Sequence, residues 1–402
     1  MYILSKKGTI EMIVNTLMPY AEKLSALSVF RGILEDETVK EFLAMLREPT
    51  PETYGSFVNS LYKTTDDLTD YILGAVTENE NPFMLRLAAF EEVPEHIEKA
   101  AKAELEVLQE IAGITSDTVK KAMGEHAAYV ASDWKTEPVN FTKAYTQRMG
   151  CLSTMGYGIF AEYYAFTLKN GKLVPIKNPD PQRLSQLSGY ELERSKVINN
   201  TLALLNNKPA ANVLLYGDAG TGKSSTVKAV VNEYKNDGLR LVELNKSQLP
   251  ELPDVIEKIA KNPLKFIIFI DDVSFSSDDD NFSSLKAVLE GSATAKTSNI
   301  AIYATSNRRH LVKEKFSDRE GDDMHVADTR EELISLSERF GLKVAFLKPD
   351  KENYLKIVEN LAKENGIEVT DELLMGAEAF ALRRNGRSGR AAKHYIQSVL
   401  AK

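Results

Sequence analysis

Through the first third of the chain apolar residues recur at three- and four-residue spacing, a period that predicts helices. The stretch AAKAELEVLQEIAGI, from Ala100 to Ile114, carries the pattern most openly. Turn signals at Glu48-Pro49-Thr50-Pro51 and from Asn79 to Pro82 separate one helix from the next. No repeat period and no cluster of chemistry-bearing residues marks this region. Residues 1–150 therefore read as a mainly helical domain whose apolar faces serve packing.

The pattern then changes. Residues 159–168 are rich in Tyr, Phe and β-branched side chains, Asn170-Gly171 follows, and a second apolar run covers 173–176. That order predicts a β-hairpin with a primed turn. Lys177-Asn178-Pro179-Asp180-Pro181 reads as a linker, so 151–183 is taken as hairpin plus linker. From 184 to 349 short apolar runs alternate with helical stretches. Runs at 213–216, 239–244, 266–270, 300–304 and 343–347 predict five strands of a parallel sheet with helices on both faces, an α/β fold. Beyond Pro349, Asp350, Thr370 and Ser388 can each cap a helix; Gly366 ends the first, Asn385-Gly386 the second, and the third runs to Leu400. Residues 350–402 thus form a helical lid.

Composition narrows the function classes. The 402 residues suit two or three domains, and the net charge is −8. A broad phosphate-binding surface is usually basic, so a general nucleic-acid role is not favoured, and nothing draws the chain to an anionic membrane. A single cysteine, Cys151, excludes an internal disulfide and a thiolate metal site. The five histidines show no metal-ligand spacing. The N-terminal apolar stretch is broken by Ser5, Lys6 and Lys7, and no apolar run approaches the ~20 residues of a membrane helix. A cytoplasmic location is expected.

Chemistry gathers in the second half. Gly217-Asp218-Ala219-Gly220-Thr221-Gly222-Lys223-Ser224, followed by Ser225, satisfies the phosphate-loop pattern G-x-x-x-x-G-K-[ST] between a strand and a helix. Glycines there let backbone N–H groups face phosphates, and the helix start adds partial positive charge. Lys223 is expected on a ligand-facing surface loop, reaching the β- and γ-phosphates of ATP or a closely similar nucleotide, with the Ser224 hydroxyl on Mg²⁺. The run Phe266-Ile267-Ile268-Phe269-Ile270 ends in Asp271-Asp272. In a parallel sheet both acids arrive beside the phosphate site. Asp271 is assigned to the Mg²⁺ shell and Asp272 to the attacking water. A further run ends in Thr305-Ser306-Asn307, and the Asn307 amide can hold the water or the γ-phosphate.

These motifs occur in the order of the AAA+ superfamily, which the chain resembles from Leu184 to Lys402. Ser337-Glu338-Arg339-Phe340-Gly341-Leu342 looks like the segment carrying an arginine finger. Ser388-Gly389-Arg390 resembles the start of the lid helix that holds a second sensor arginine, with Arg387 as substitute. Leu187-Ser188-Gly189-Tyr190-Glu191 resembles the stretch that lines the base, which puts Gly189 and Tyr190 at the nucleotide. The GYGIF and TSNRRHL segments extend the resemblance over nearly the whole chain, to a bacterial family of AAA+ ATP-binding proteins with no assigned role. The superfamily often has Asp-Glu where this chain has Asp271-Asp272, and threading machines carry an aromatic pore loop where this chain reads NKSQLPEL.

The resemblance implies a P-loop NTPase core that splits ATP with Mg²⁺, assembles as a homo-oligomer and couples nucleotide state to a protein partner through the N-terminal domain. One alternative is a slow-hydrolysing binding switch, suggested by the short Asp272. Another is a loader or remodeller acting on DNA, for which the cluster Arg383, Arg384, Arg387, Arg390 and Lys393 counts, and Arg308 and Arg309 could serve at a subunit face. A kinase shares the nucleotide motif but has no need of Asn307, Arg339 and Arg390 together.

Overall fold

The computed structural model describes residues 2–4, 10–12, 15–273, 280–289, 297–307, 338–384 and 386–401. The chain divides into two compact units, residues 1–152 with 156–161, and residues 153–155 with 162–402. Among the described residues no helix is long and apolar enough to cross a membrane.

The first unit is helical apart from a short antiparallel pair, β1 (Tyr2–Leu4) and β2 (Ile10–Met12). Several of its helices begin where side chains satisfy orphan N–H groups: Asp36, Thr50, Asp67, Asn81 and Asn140 each accept a bond from the first turn. Phe30, Phe42, Tyr54, Phe57, Trp134 and Tyr145 fill the core. The polar tips stay paired, Trp134 Nε1 donating to the Ile114 carbonyl at 2.9 Å and Tyr54 Oη to Ser132 at 2.6 Å.

The second unit is built on one sheet. Its strands are β3 (Ala165–Lys169), β4 (Lys172–Pro175), β5 (Val213–Gly217), β6 (Leu239–Leu244), β7 (Lys265–Ile270), β8 (Ile300–Ser306) and β9 (Leu342–Phe346), in the order β4-β3-β6-β7-β8-β5-β9. All neighbours are parallel except β3 and β4. Every residue of β7 is buried, which is why KFIIFI reads as a continuous apolar run instead of an alternation. Helix Lys223–Tyr234 lays Val227, Val230 and Val231 into the core beneath the sheet.

Two expectations need correction. The sheet has seven strands, not five, because the hairpin is no connector: Ala165 to Thr167 pair with Leu241 to Glu243 and extend the sheet. Its turn has both Asn170 and Gly171 at positive φ, 52° and 71°, as a primed turn requires. The expected strand over 159–168 starts only at Ala165, while Ile159–Glu162 is a short helix. Gly156 and Gly158 at positive φ turn the chain just ahead of it, and Phe160 is buried, so packing overrides the β preference of the aromatic residues.

The lid consists of helices Lys351–Glu364, Asp371–Arg383 and Gly389–Leu400, capped by Asp350, Thr370 and Ser388. Tyr354, Ile357, Ala377, Ala392 and Ile396 close a small core between them.

Candidate functional site at the carboxyl edge of the sheet

Register explains how the site assembles. Tyr216 lies opposite Ser306, Gly217 opposite Phe346, and Ile270 opposite Ala304. The residues that follow these pairs therefore emerge together at one sheet edge. Gly217 has φ +131°, and a side chain there would collide with the Phe346 carbonyl. Gly220 and Gly222 have φ +78° and +94°, so the loop turns through conformations that other residues resist. The helix begins at Lys223.

Lys223 does not lie on an open surface loop: it is 5% exposed. Its Nζ donates to the carbonyls of Gly217 at 3.0 Å and Asp218 at 2.7 Å, and to Asn307 Oδ1 at 3.1 Å. Burial pushes its pKa down; Asp218, Asp272 and Asp271 pull the other way, and Arg390 adds to the depression. Asn307 also donates through Nδ2 to Asp272 Oδ1 at 2.7 Å, so one amide joins the lysine to the second acid.

Asp271 Oδ1 accepts from Ser224 Oγ at 2.6 Å and from Thr305 Oγ1 at 2.5 Å. Thr305 Oγ1 accepts in turn from the Asp272 N–H at 2.9 Å, and Asp272 sits at φ +51°. Thr305 was not singled out from the sequence. Its signal is the parallel register, which sets it beside Asp271 once β7 and β8 are known to be neighbours.

The cleft around these groups has a volume of about 1180 Å³. Ala219 to Ser225, Asp271, Asp272, Asn307, Tyr190 and Arg390 all line it. Gly217 and Asp218 are not among the residues that line it. Gly189 does not line it; at φ +74° its α-carbon faces Ile357 of the lid, and its carbonyl accepts from Arg194, itself buried at the cleft wall. Gly189 thereby sets the position of Tyr190, whose ring stacks on Phe346 at 5.3 Å and whose hydroxyl donates to the Leu347 carbonyl at 2.6 Å. Burial, then the Asp218 charge, raises the Tyr190 pKa, so the hydroxyl keeps its proton.

The two lid arginines separate clearly. Arg387 Nε donates to both carboxylate oxygens of Glu378 at 3.1 Å and does not reach the cleft wall. Arg390 lines the cleft, and its backbone N–H donates to the Gly220 carbonyl at 3.1 Å. Arg339 stands in a turn before β9 and is not among the lining residues of its own chain. Arg308, Arg309 and Ser337 lie outside the described residues.

The donor set fits a hard cation held with a nucleotide. A hydroxyl and a carboxylate meet at 2.6 Å beside a glycine-curled loop and an ammonium. Mg²⁺ is usually held by one or two carboxylates together with substrate phosphates, not by a closed protein cage. Among the described residues no three His, Cys, Asp or Glu side chains form such a cage.

The model of the family described as "Protein of unknown function (DUF815)" matches residues 161–402. The chain belongs to the DUF815 family. This DUF815 protein is also similar to two proteins named replication factor C large subunit. The one from Staphylothermus marinus is 38% identical over 82 residues, 20% of this chain and 18% of that protein. The one from Thermofilum pendens is 26% identical over 229 residues, 54% of this chain and 48% of that protein. The chain thus spans about half or less of the length of these curated relatives. Among solved structures it is similar to a DNA replication initiation factor, with TM-score 0.37 and 18% identity over 56% of this chain and 65% of that one. It is also similar to AMPPCP-bound DnaA from Aquifex aeolicus, with TM-score 0.39 and 19% identity over 55% and 66%. With its G-x-x-x-x-G-K-S loop between a strand and a helix, its largely parallel sheet and its helical lid, the second unit has the make-up of a P-loop NTPase core.

Proposed function

We propose that the chain binds ATP with Mg²⁺ in this cleft, hydrolyses it to ADP and phosphate, and works as a homo-oligomer that couples nucleotide state to a macromolecular partner. The observation that carries the reading is the convergence of three groups at one edge: Lys223, the Ser224–Asp271 pair, and Asp272 tied to Asn307. When bound, Mg²⁺ would neutralise phosphate charge, with Ser224 and Asp271 as its protein ligands. Lys223 then binds the β- and γ-phosphates. Asp272 orients the attacking water and takes its proton, and Asn307 fixes the Asp272 carboxylate. Positioning and charge stabilisation supply most of the catalysis in such sites.

Asp272→Asn is expected to keep Mg·ATP binding and to slow phosphate release by roughly ten-fold or more, as for a lost general-base contact. Asp271→Asn should instead weaken the Mg²⁺-dependent part of binding. Phosphate-release kinetics beside nucleotide titration separate the two, and wild-type turnover in Asp272→Asn would assign the water to another group.

One observation favours the slow switch as a second reading. Asp272 Oδ1 is already bonded to Asn307, and its backbone sits in the left-handed region, so the short carboxylate has little freedom to follow a substrate water. A basal turnover on the order of 10⁻³ s⁻¹ or slower, as in unassisted GTPases, would favour that reading. The named relatives are replication proteins, which makes DNA the first partner to add to the assay. Stimulation that falls steeply with salt would support a DNA-acting role, against which the net charge of −8 weighs.

A further inference from the structure

We propose that Asp218 is a positioning residue that ties the phosphate loop to the strand end carrying the lid, so that nucleotide binding is transmitted to the lid through it. The inference deepens the ATP-binding reading above and rests on it.

Every polar group of Asp218 is engaged. Its N–H donates to the Phe346 carbonyl at 3.0 Å. Its carbonyl accepts from Lys223 Nζ at 2.7 Å and from Thr221 Oγ1 at 2.8 Å. Its carboxylate Oδ2 accepts from the Lys348 N–H at 2.8 Å. Phe346 closes β9, and Asp350 caps the first lid helix, accepting from the Asn353 N–H at 2.8 Å. Asp218 therefore grips the link between core and lid at both Phe346 and Lys348, two residues short of the helix cap. The far side of the loop also meets the lid, through the bond from the Arg390 N–H to the Gly220 carbonyl. The bonds to Phe346 and Gly220 run from backbone to backbone. The bond to Lys348 runs through a side chain, so one substitution can cut it.

The route from nucleotide to lid follows from counting donors. The Lys223 ammonium has three hydrogens and meets three protein acceptors, Gly217, Asp218 and Asn307. A phosphate that engages Nζ competes with these acceptors. The Asp218 peptide is then held less on its carbonyl side while its carboxylate still holds Lys348. A shift of that peptide moves the Lys348 amide with it. By linkage, the lid position must change nucleotide affinity by the same factor.

The test is amide hydrogen exchange over residues 348–366, with and without Mg²⁺ and the slowly hydrolysed probe ATPγS, in the full chain. In the wild type the probe should change exchange there about five-fold or more, a typical size for coupling between sites. Asp218→Ala should lose that change and bind ATPγS about five-fold or more weakly. Asp218→Asn keeps an oxygen acceptor of the same reach and should retain both. A merely structural role would alter melting without this split between the two variants. If the alanine chain does not fold, Asp218→Glu moves the acceptor outward by one methylene and should show the same loss of response. A full lid response in Asp218→Ala, or in Asp218→Glu when that variant stands in for it, overturns the inference. So does loss in Asp218→Asn, because the charge and not the bond to Lys348 would then carry the effect. Failure of the wild type to bind ATPγS at all overturns the ATP reading first, and the inference with it.

Discussion

Lys223→Ala is expected to abolish ATP binding while the fold survives. The lysine offers charged hydrogen bonds to two phosphates. At about 1.5–3 kcal/mol for each such bond, their loss weakens affinity by roughly 10²–10⁴-fold. The cost to the fold is a balance of two effects. Removing the side chain leaves the acceptors on Gly217, Asp218 and Asn307 without their donor. It also removes a charge that burial disfavours, as the lowered pKa records. These oppose each other, so unfolding stability should change by no more than about 1–2 kcal/mol. Calorimetric titration and urea unfolding measure the two quantities separately. Unchanged affinity would remove the P-loop assignment, and a collapsed fold would show that the lysine is chiefly structural.

Arg339→Ala should retain ATP binding and lose hydrolysis, by about 10³–10⁵-fold if the arginine acts as a finger. Its place ahead of β9 fits action on a neighbour. The cleft lies at the carboxyl end of β5 and β9, whereas Arg339 precedes the amino end of β9. At about 3.3 Å per residue, β9 alone puts roughly 13 Å between the two ends. Arg339 is not among the residues lining its own cleft, which fits action on a second copy. Mixing Arg339→Ala with Lys223→Ala should therefore restore part of the turnover. The first chain binds ATP and lacks a finger, and the second lends a finger and binds none. Activity of the mixture should rise more steeply than protein concentration. Full activity of Arg339→Ala alone would remove it as the finger and turn attention to Arg308 or Arg309. Loss without rescue in subunits shown to co-assemble would mean that the residue acts within its own chain.

What the sequence made legible follows from how local each feature is. The P-loop is eight consecutive residues whose conformation depends on its own glycines, so it could be read directly. The acids at 271 and 272 were legible because an apolar strand must end somewhere, and in a parallel α/β sheet it ends at the ligand edge. The hairpin's place in the sheet was not legible, since Phe166 pairs with Val242 across a long stretch of chain and no local pattern encodes that. Thr305 became visible only through the register of β7 against β8. The capture of Arg387 by Glu378 was not legible either, because Glu378 lies on the preceding lid helix and no local pattern encodes that pair. The burial of Lys223 was hidden for a similar reason, because Asn307 and the β5 carbonyl that cover it come from separate strands.

One equilibrium underlies the proposed function. Titrating the wild-type chain with ATP by calorimetry, with and without Mg²⁺, tests it most directly. The expected result is saturable binding of one ATP per chain, tightened by Mg²⁺ and lost in Lys223→Ala. No detectable binding by the wild type, or binding that Lys223→Ala leaves intact, would contradict it.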